Sequence, residues 1–148
     1  MKLEVLGMEE LIDKLNKYHE APNKAGNTAL KNAAEVMLKG ERETLLRMHK
    51  KDRSTGKGAA NLKVGGIKTY ASGSKFVGIG FTKEKMSGAN WDDIKGAYFN
   101  NYGWYNNRGG KYVAGSNWMG VAFENSHNEC YRIIKDSLMA ELRKIDWY

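Results

Sequence analysis

Three histidines, one cysteine and an adjacent aspartate pair are the residues whose types could support acid–base, nucleophilic or metal chemistry. His19, His49 and His127 lie far apart, and none pairs with another histidine or a cysteine at zinc-binding spacing. Cys130 stands alone, so it can close no intramolecular disulfide. Its place in a helical apolar pattern reads as a small core residue. Asp92 and Asp93 read as the cap and first turn of a helix, where the helix dipole favours carboxylates. Thr55-Gly56-Lys57-Gly58 superficially suggests a phosphate loop. That motif needs a glycine four residues before its Gly-Lys pair and a Ser or Thr after the lysine. Lys51 and Gly58 stand there instead. Gly78-Ile79-Gly80 lies inside an alternating strand pattern and lacks the third glycine of a dinucleotide fingerprint. No nucleophile, base and orienting group can be assembled from spacing, so the residues give catalysis no support.

Two other groups of residues suit binding. Lys50, Lys51, Arg53, Lys57, Lys63 and Lys68 cluster within one stretch. Such a run is either a solvated face or an electrostatic contact with DNA or an acidic protein surface. Trp91, Tyr98, Phe99, Tyr102, Trp104 and Tyr105 form a dense aromatic segment. It serves either a core or a subunit contact, where rings with one dry side and one polar edge are favoured.

The elements that must position these residues follow from periodicity. Residues 2–6 alternate polar and apolar and read as a short edge strand ended by Gly7. Met8, Leu11, Ile12, Leu15 and Tyr18 recur at helical spacing, and Pro22 is expected to break that helix and open the next. The second helix is predicted from Pro22 to about Lys50, rich in alanine in its first half, with Gly40 as a weak point. Residues 49–61 read as a basic, glycine-containing loop. Leu62, Val64 and Ile67, with a bend at Gly65-Gly66, and then Val77, Ile79 and Phe81 predict an antiparallel hairpin turning at Ser72-Gly73-Ser74. Residues 83–90 are loop-like. The aromatic segment reads as a short helix from Asp92 or Asp93 in preference to a strand near Ala97-Tyr98-Phe99, and residues 106–110 read as a flexible loop. A last helix is predicted from Trp118–Ala122 to about Lys144. Phe123, Cys130, Tyr131, Ile134, Leu138, Leu142 and Ile145 hold its apolar face. The whole predicts one α+β domain, a small antiparallel sheet packed against the alanine-rich helix and the C-terminal helix.

Composition agrees with one ordinary domain. The 148 residues are 41% hydrophobic and 28% charged, with a single proline. The start, MKLEVLGMEELIDKL, lacks the continuous apolar stretch of a signal peptide, and no run is long enough to span a bilayer. A soluble protein made in a bacterial cytoplasm is expected. The net charge of +7 permits nucleic acid or acidic protein partners without choosing between them.

The order of these pieces resembles the tail-component family of tailed bacteriophages and prophages. Leu6-Gly7-Met8-Glu9-Glu10-Leu11 followed by Leu15 is similar to the family's opening. An alanine-rich helix ends in a basic stretch. Ser54-Thr55-Gly56-Lys57 with Leu62-Lys63-Val64 is similar to its Asp-Thr-Gly-Arg-Leu segment, with Ser54 in place of the aspartate. Tyr98-Phe99-Asn100-Asn101-Tyr102-Gly103-Trp104 is similar to its Tyr-x-x-Phe/Tyr-Gly-Thr segment. Trp118-Met119-Gly120-Val121-Ala122-Phe123-Glu124 stands where the family has Pro-Phe-Leu-x-Pro-Ala-Phe, and residues 83–96 read as an insertion. The resemblance implies a structural protein of a virion, prophage or tail-like particle, at the head–tail neck or in tail completion. It implies a homo-oligomeric ring, contacts with neck or tail partners, no catalysis and no cofactor. The expected contact residues are Lys50, Lys51, Arg53, Lys57 and Lys63 of the basic stretch, then Tyr98, Tyr102, Trp104, Tyr105 and Trp118.

Overall fold

The computed structural model describes residues 8–48, 56–81 and 91–144. The first helix, α1, runs without interruption over Met8–Met48 and carries Pro22 inside it. The expected break at Pro22 is therefore corrected. A proline inside a helix forfeits one backbone hydrogen bond and crowds the preceding turn, at about 3 kcal/mol. No glycine or other stop lies in Tyr18–Ala21. Downstream, Ala25, Ala29, Ala33 and Ala34 are all buried, so packing holds the helix together past the defect. The strand expected at residues 2–6 lies outside the described residues.

The last helix, α4, spans Trp118–Leu142 and packs antiparallel along α1. The Cys130 thiol donates to the Ala33 carbonyl at 3.4 Å. Further along, Ser126 sits so close to Gly40 that a Cβ there would overlap its hydroxyl. Gly40, a weak point by propensity, is thus the site of closest helix approach. Small residues on both sides, Ala33 and Gly40 against Ser126 and Cys130, allow it.

A one-turn helix, α2 (Lys57–Ala60), forms inside the stretch expected to be loop. Gly56, at φ 71°, makes the left-handed entry. Strands β1 (Lys63–Thr69) and β2 (Lys75–Gly80) then pair as the expected antiparallel hairpin. Val64 opposes Ile79 and Ile67 opposes Val77, so Gly65 and Gly66 share the single partner position of Gly78. This is a bulge at the predicted glycines. Its tight side needs no side chain, because a Cβ on Gly65 would stand 3.2 Å from the Gly78 carbonyl oxygen. The hairpin leans on α1, where Lys75 Nζ donates to Asn27 Oδ1 at 2.9 Å.

The aromatic segment forms α3 (Trp91–Tyr102), as the helical reading expected. A second hairpin follows: β3 (Gly103–Asn106) and β4 (Lys111–Ala114), paired antiparallel. Neither strand was legible, and Trp104 and Tyr105 belong to β3 and not to a continuation of α3. The fold is α+β, and among the described residues the strands form two separate two-stranded sheets where a single one was expected. Leu38 and Leu45 of α1, Ala59 of α2, Leu62, Ala97 of α3 and Trp118 of α4 make the core, lined further by Val64, Ile79, Phe81 and Met119.

Candidate interaction surface

In α3, Ile94, Ala97 and Asn101 face inward at helical spacing. Trp91, Tyr98, Phe99 and Tyr102 are left on the outer and lateral faces. The acidic first turn suits the helix dipole, and Lys57 Nζ meets Asp93 at 2.9 Å, joining α2 to the start of α3. Asp92 is paired with Lys95, whose hydrogen bond and charge hold the carboxyl below its usual range. Both aspartates thus serve the helix start.

Gly103, at φ 85°, turns the chain from helix into strand. A side chain there would overlap the Val113 carbonyl, the Gly115 amide and the Tyr112 hydroxyl. Two asparagines fasten this corner to α4. The Asn100 carbonyl accepts from the Ser116 amide at 2.6 Å and its hydroxyl at 2.8 Å. The Asn101 side-chain oxygen accepts from the Met119 amide at 2.9 Å, and its carbonyl accepts from the Asn117 amide at 3.1 Å. Tyr112 Oη donates to the Tyr102 carbonyl at 2.8 Å, and Tyr105 Oη donates to that of Gly110 at 3.2 Å.

On this frame the rings form a connected exposed surface. Trp91 meets Tyr98 and Phe99 edge-on at 5.5 and 5.9 Å. Tyr98 lies 4.8 Å from Tyr102, and Phe99 lies 6.4 Å from Trp104. Tyr102 is 57% exposed and Tyr105 61%, with Phe99 and Trp104 also exposed. A shallow depression of about 490 Å³ lies among Lys95, Gly96, Phe99, Asn100 and Trp104. The aromatic density thus lies largely at the surface, which neither spacing nor composition could decide.

The other expected contact residues are dispersed. Trp118 is fully buried and its Nε1 donates to the Ala97 carbonyl at 2.9 Å. It is a core residue, corrected from contact candidate, because its ring fills the space between α3 and α1. Lys57 is engaged with Asp93, and Lys63 is exposed at the start of β1. Lys68 lies over the Phe76 ring at 5.9 Å on the far half of the hairpin. Lys50, Lys51 and Arg53 lie outside the described residues. Sequence reasoning missed Tyr112, whose signal was the strand-favouring pair Tyr112-Val113 just after Gly109-Gly110.

Among the described residues, no three His, Cys, Asp or Glu side chains converge where a metal ion could bind. Burial pushes the Cys130 thiol above its ordinary value, as in an inert core cysteine. The open groove between α1 and α4, about 570 Å³, mixes Lys39 and Arg47 with Glu43 and Glu129. Glu41 is buried, and loss of hydration raises its carboxyl from 4.5 to about 7. Its Oε2 has no partner among the described residues. The neighbouring Arg42 instead donates through Nη2 to the Leu62 carbonyl at 2.8 Å. Among the described residues, no helix is long and apolar enough to cross a membrane.

Comparison with family models, with characterised proteins and with solved structures returned no match.

Proposed function

We propose that this chain is a structural assembly protein that works by contacts with copies of itself and with partner proteins. The exposed aromatic surface of α3 and the β3–β4 hairpin carries the reading. Monomers rarely expose so many large rings together unless another surface covers them. Its rings stand on helix and strand backbone fastened to α4, so little order remains to be gained on docking. The ordered resemblance in sequence directs the proposal to a tailed phage, prophage or tail-like particle, at the head–tail neck or in tail completion.

Tyr102→Ala with Trp104→Ala tests the reading. The variant should keep its melting temperature within a few degrees, yet fall at least tenfold in particles purified from an induced host and quantified by mass spectrometry. Absence of the wild-type chain from neck and tail fractions, or incorporation of the variant at wild-type level, would overturn it.

A nucleic-acid-binding role is the second reading. It is favoured by the +7 net charge and by Lys95 beside the Phe99–Trp104 depression, where a base could stack next to a cation. It requires single-strand affinity that falls steeply with salt. Absent or salt-insensitive binding removes it.

A further inference from the structure

Helix α4 turns one row of small residues, Ala122, Ser126 and Cys130, toward α1, and all three are buried. One residue further round lies a second row: Phe123, His127, Tyr131, Ile134 and Leu138, at steps of four, four, three and four. The sequence pattern merges the two rows into one apolar face, but only the first is covered. Phe123 is 53% and Tyr131 71% exposed, and His127, Ile134 and Leu138 are half-buried. The Phe123 and His127 rings are already stacked at 5.5 Å and 17°. His127 Nδ1 fixes that arrangement by donating to the Glu124 carbonyl at 2.9 Å.

We propose that a second copy of this chain docks on this row, α4 against α4, antiparallel about a two-fold axis beside Tyr131. Two features of the row select this occupant. Its spacing is self-complementary when reversed: Phe123 of one copy falls level with Leu138 of the other and His127 with Ile134, leaving the two Tyr131 rings at the axis. Phe123 and His127 each then meet an aliphatic side chain, and each pairing occurs twice, as an isologous contact requires. Charge agrees with the same direction. Glu124 and Lys135 flank the row on one side, and neither has an ion-pair partner among the described residues. Antiparallel docking sets each Glu124 near the other copy's Lys135, twice. Parallel docking would carry the two flanks to opposite edges of the contact and bring no such pair together. This surface is separate from the α3–β3 rings, and the proposal holds whether or not the chain joins a phage particle.

Sedimentation equilibrium of the full chain over a wide concentration range tests it. The wild type should dimerise, and Phe123→Ala with Tyr131→Ala should raise the dissociation constant at least tenfold. Glu124→Lys and Lys135→Glu should each weaken the dimer several-fold, and the two together should restore it. A short bismaleimide should link copies carrying Tyr131→Cys in a Cys130→Ala background, but not copies carrying Arg132→Cys there. Circular dichroism checks that each variant keeps its helix content. A wild-type monomer at all concentrations would overturn the proposal, whether the row is covered by another partner or by the chain's own residues. So would a dimer lost on Tyr102→Ala with Trp104→Ala and untouched by the α4 changes. Single charge reversals that weaken the dimer without rescue in the double variant would overturn the antiparallel geometry.

Discussion

Glu41 is a carboxyl on the core-facing side of α1, between Leu38 and Leu45, with its Oε2 unpartnered among the described residues. Burial raises its value from 4.5 to about 7. The unfolded chain therefore gives up this proton at lower pH than the folded one. Stability is fully present below about 4.5, declines as pH rises toward 7, and beyond that stays lower by about 3 kcal/mol. Glu41→Gln should flatten that slope, leaving stability near wild type at pH 4 and raising it by about 2 kcal/mol at pH 8 in urea denaturation. Parallel pH profiles for the two proteins would show that Glu41 ionises freely in the fold. Gly40 gives a second prediction at this scale. Gly40→Ala gains about 1 kcal/mol of helix propensity but meets the Ser126 hydroxyl. The substitution should stabilise more in a Ser126→Ala background than in the wild type. A double-mutant cycle should give a coupling of about 1 kcal/mol, and additive effects would mean that Ser126 simply rotates away.

Among the elements, α1 shows where local rules yield to packing. Counting at 1.5 Å per residue from the Cys130–Ala33 contact, the end of α4 lies level with about residue 21 of α1. Pro22 therefore sits where the cover of α4 ends, and a bend there displaces little. Pro22→Ala should restore the missing hydrogen bond and raise stability by about 1–3 kcal/mol, with increased helicity by circular dichroism. No gain would mean that the two halves of α1 behave as separate helices. The β3–β4 hairpin depends on Gly103. Gly103→Ala should strain the positive φ and drive a Cβ into Val113 and Gly115, costing at least 2 kcal/mol and loosening the aromatic surface. Enhanced tryptophan quenching by iodide would report that loosening, and unchanged quenching and stability would count against it. The first hairpin was readable because Val77, Ile79 and Phe81 alternate between glycines and a Ser-Gly-Ser turn precedes them. The second was not, because four-residue strands contain too few alternations to stand out from an aromatic run.

For the whole molecule, the two exposed surfaces lie on different elements, so their roles should separate. Removing Tyr102 and Trp104 should leave α4-mediated dimerisation intact, and removing Phe123 and Tyr131 should leave the α3–β3 surface available for partner contacts. Sedimentation of the four-fold variant should show a monomer of unchanged melting temperature. A collapsed or aggregated product would mean that these rings belong to the core after all. The sequence by itself determined the α+β class, the helix at the C-terminus, the glycine bulge and turn of the first hairpin, and the core role of Cys130. These depend on periodicity, backbone freedom and residue size within a few positions. Only the tertiary structure decided which apolar residues are covered. Trp118 is enclosed because α3 brings the Ala97 carbonyl to its indole. Phe123, five residues on and about 140° further round α4, is left in solvent because α1 reaches only the neighbouring row of small side chains. A helix repeats its own pattern without regard to how wide a face its partner can cover. The aromatic residues were thus sorted into core and surface by contacts between distant segments.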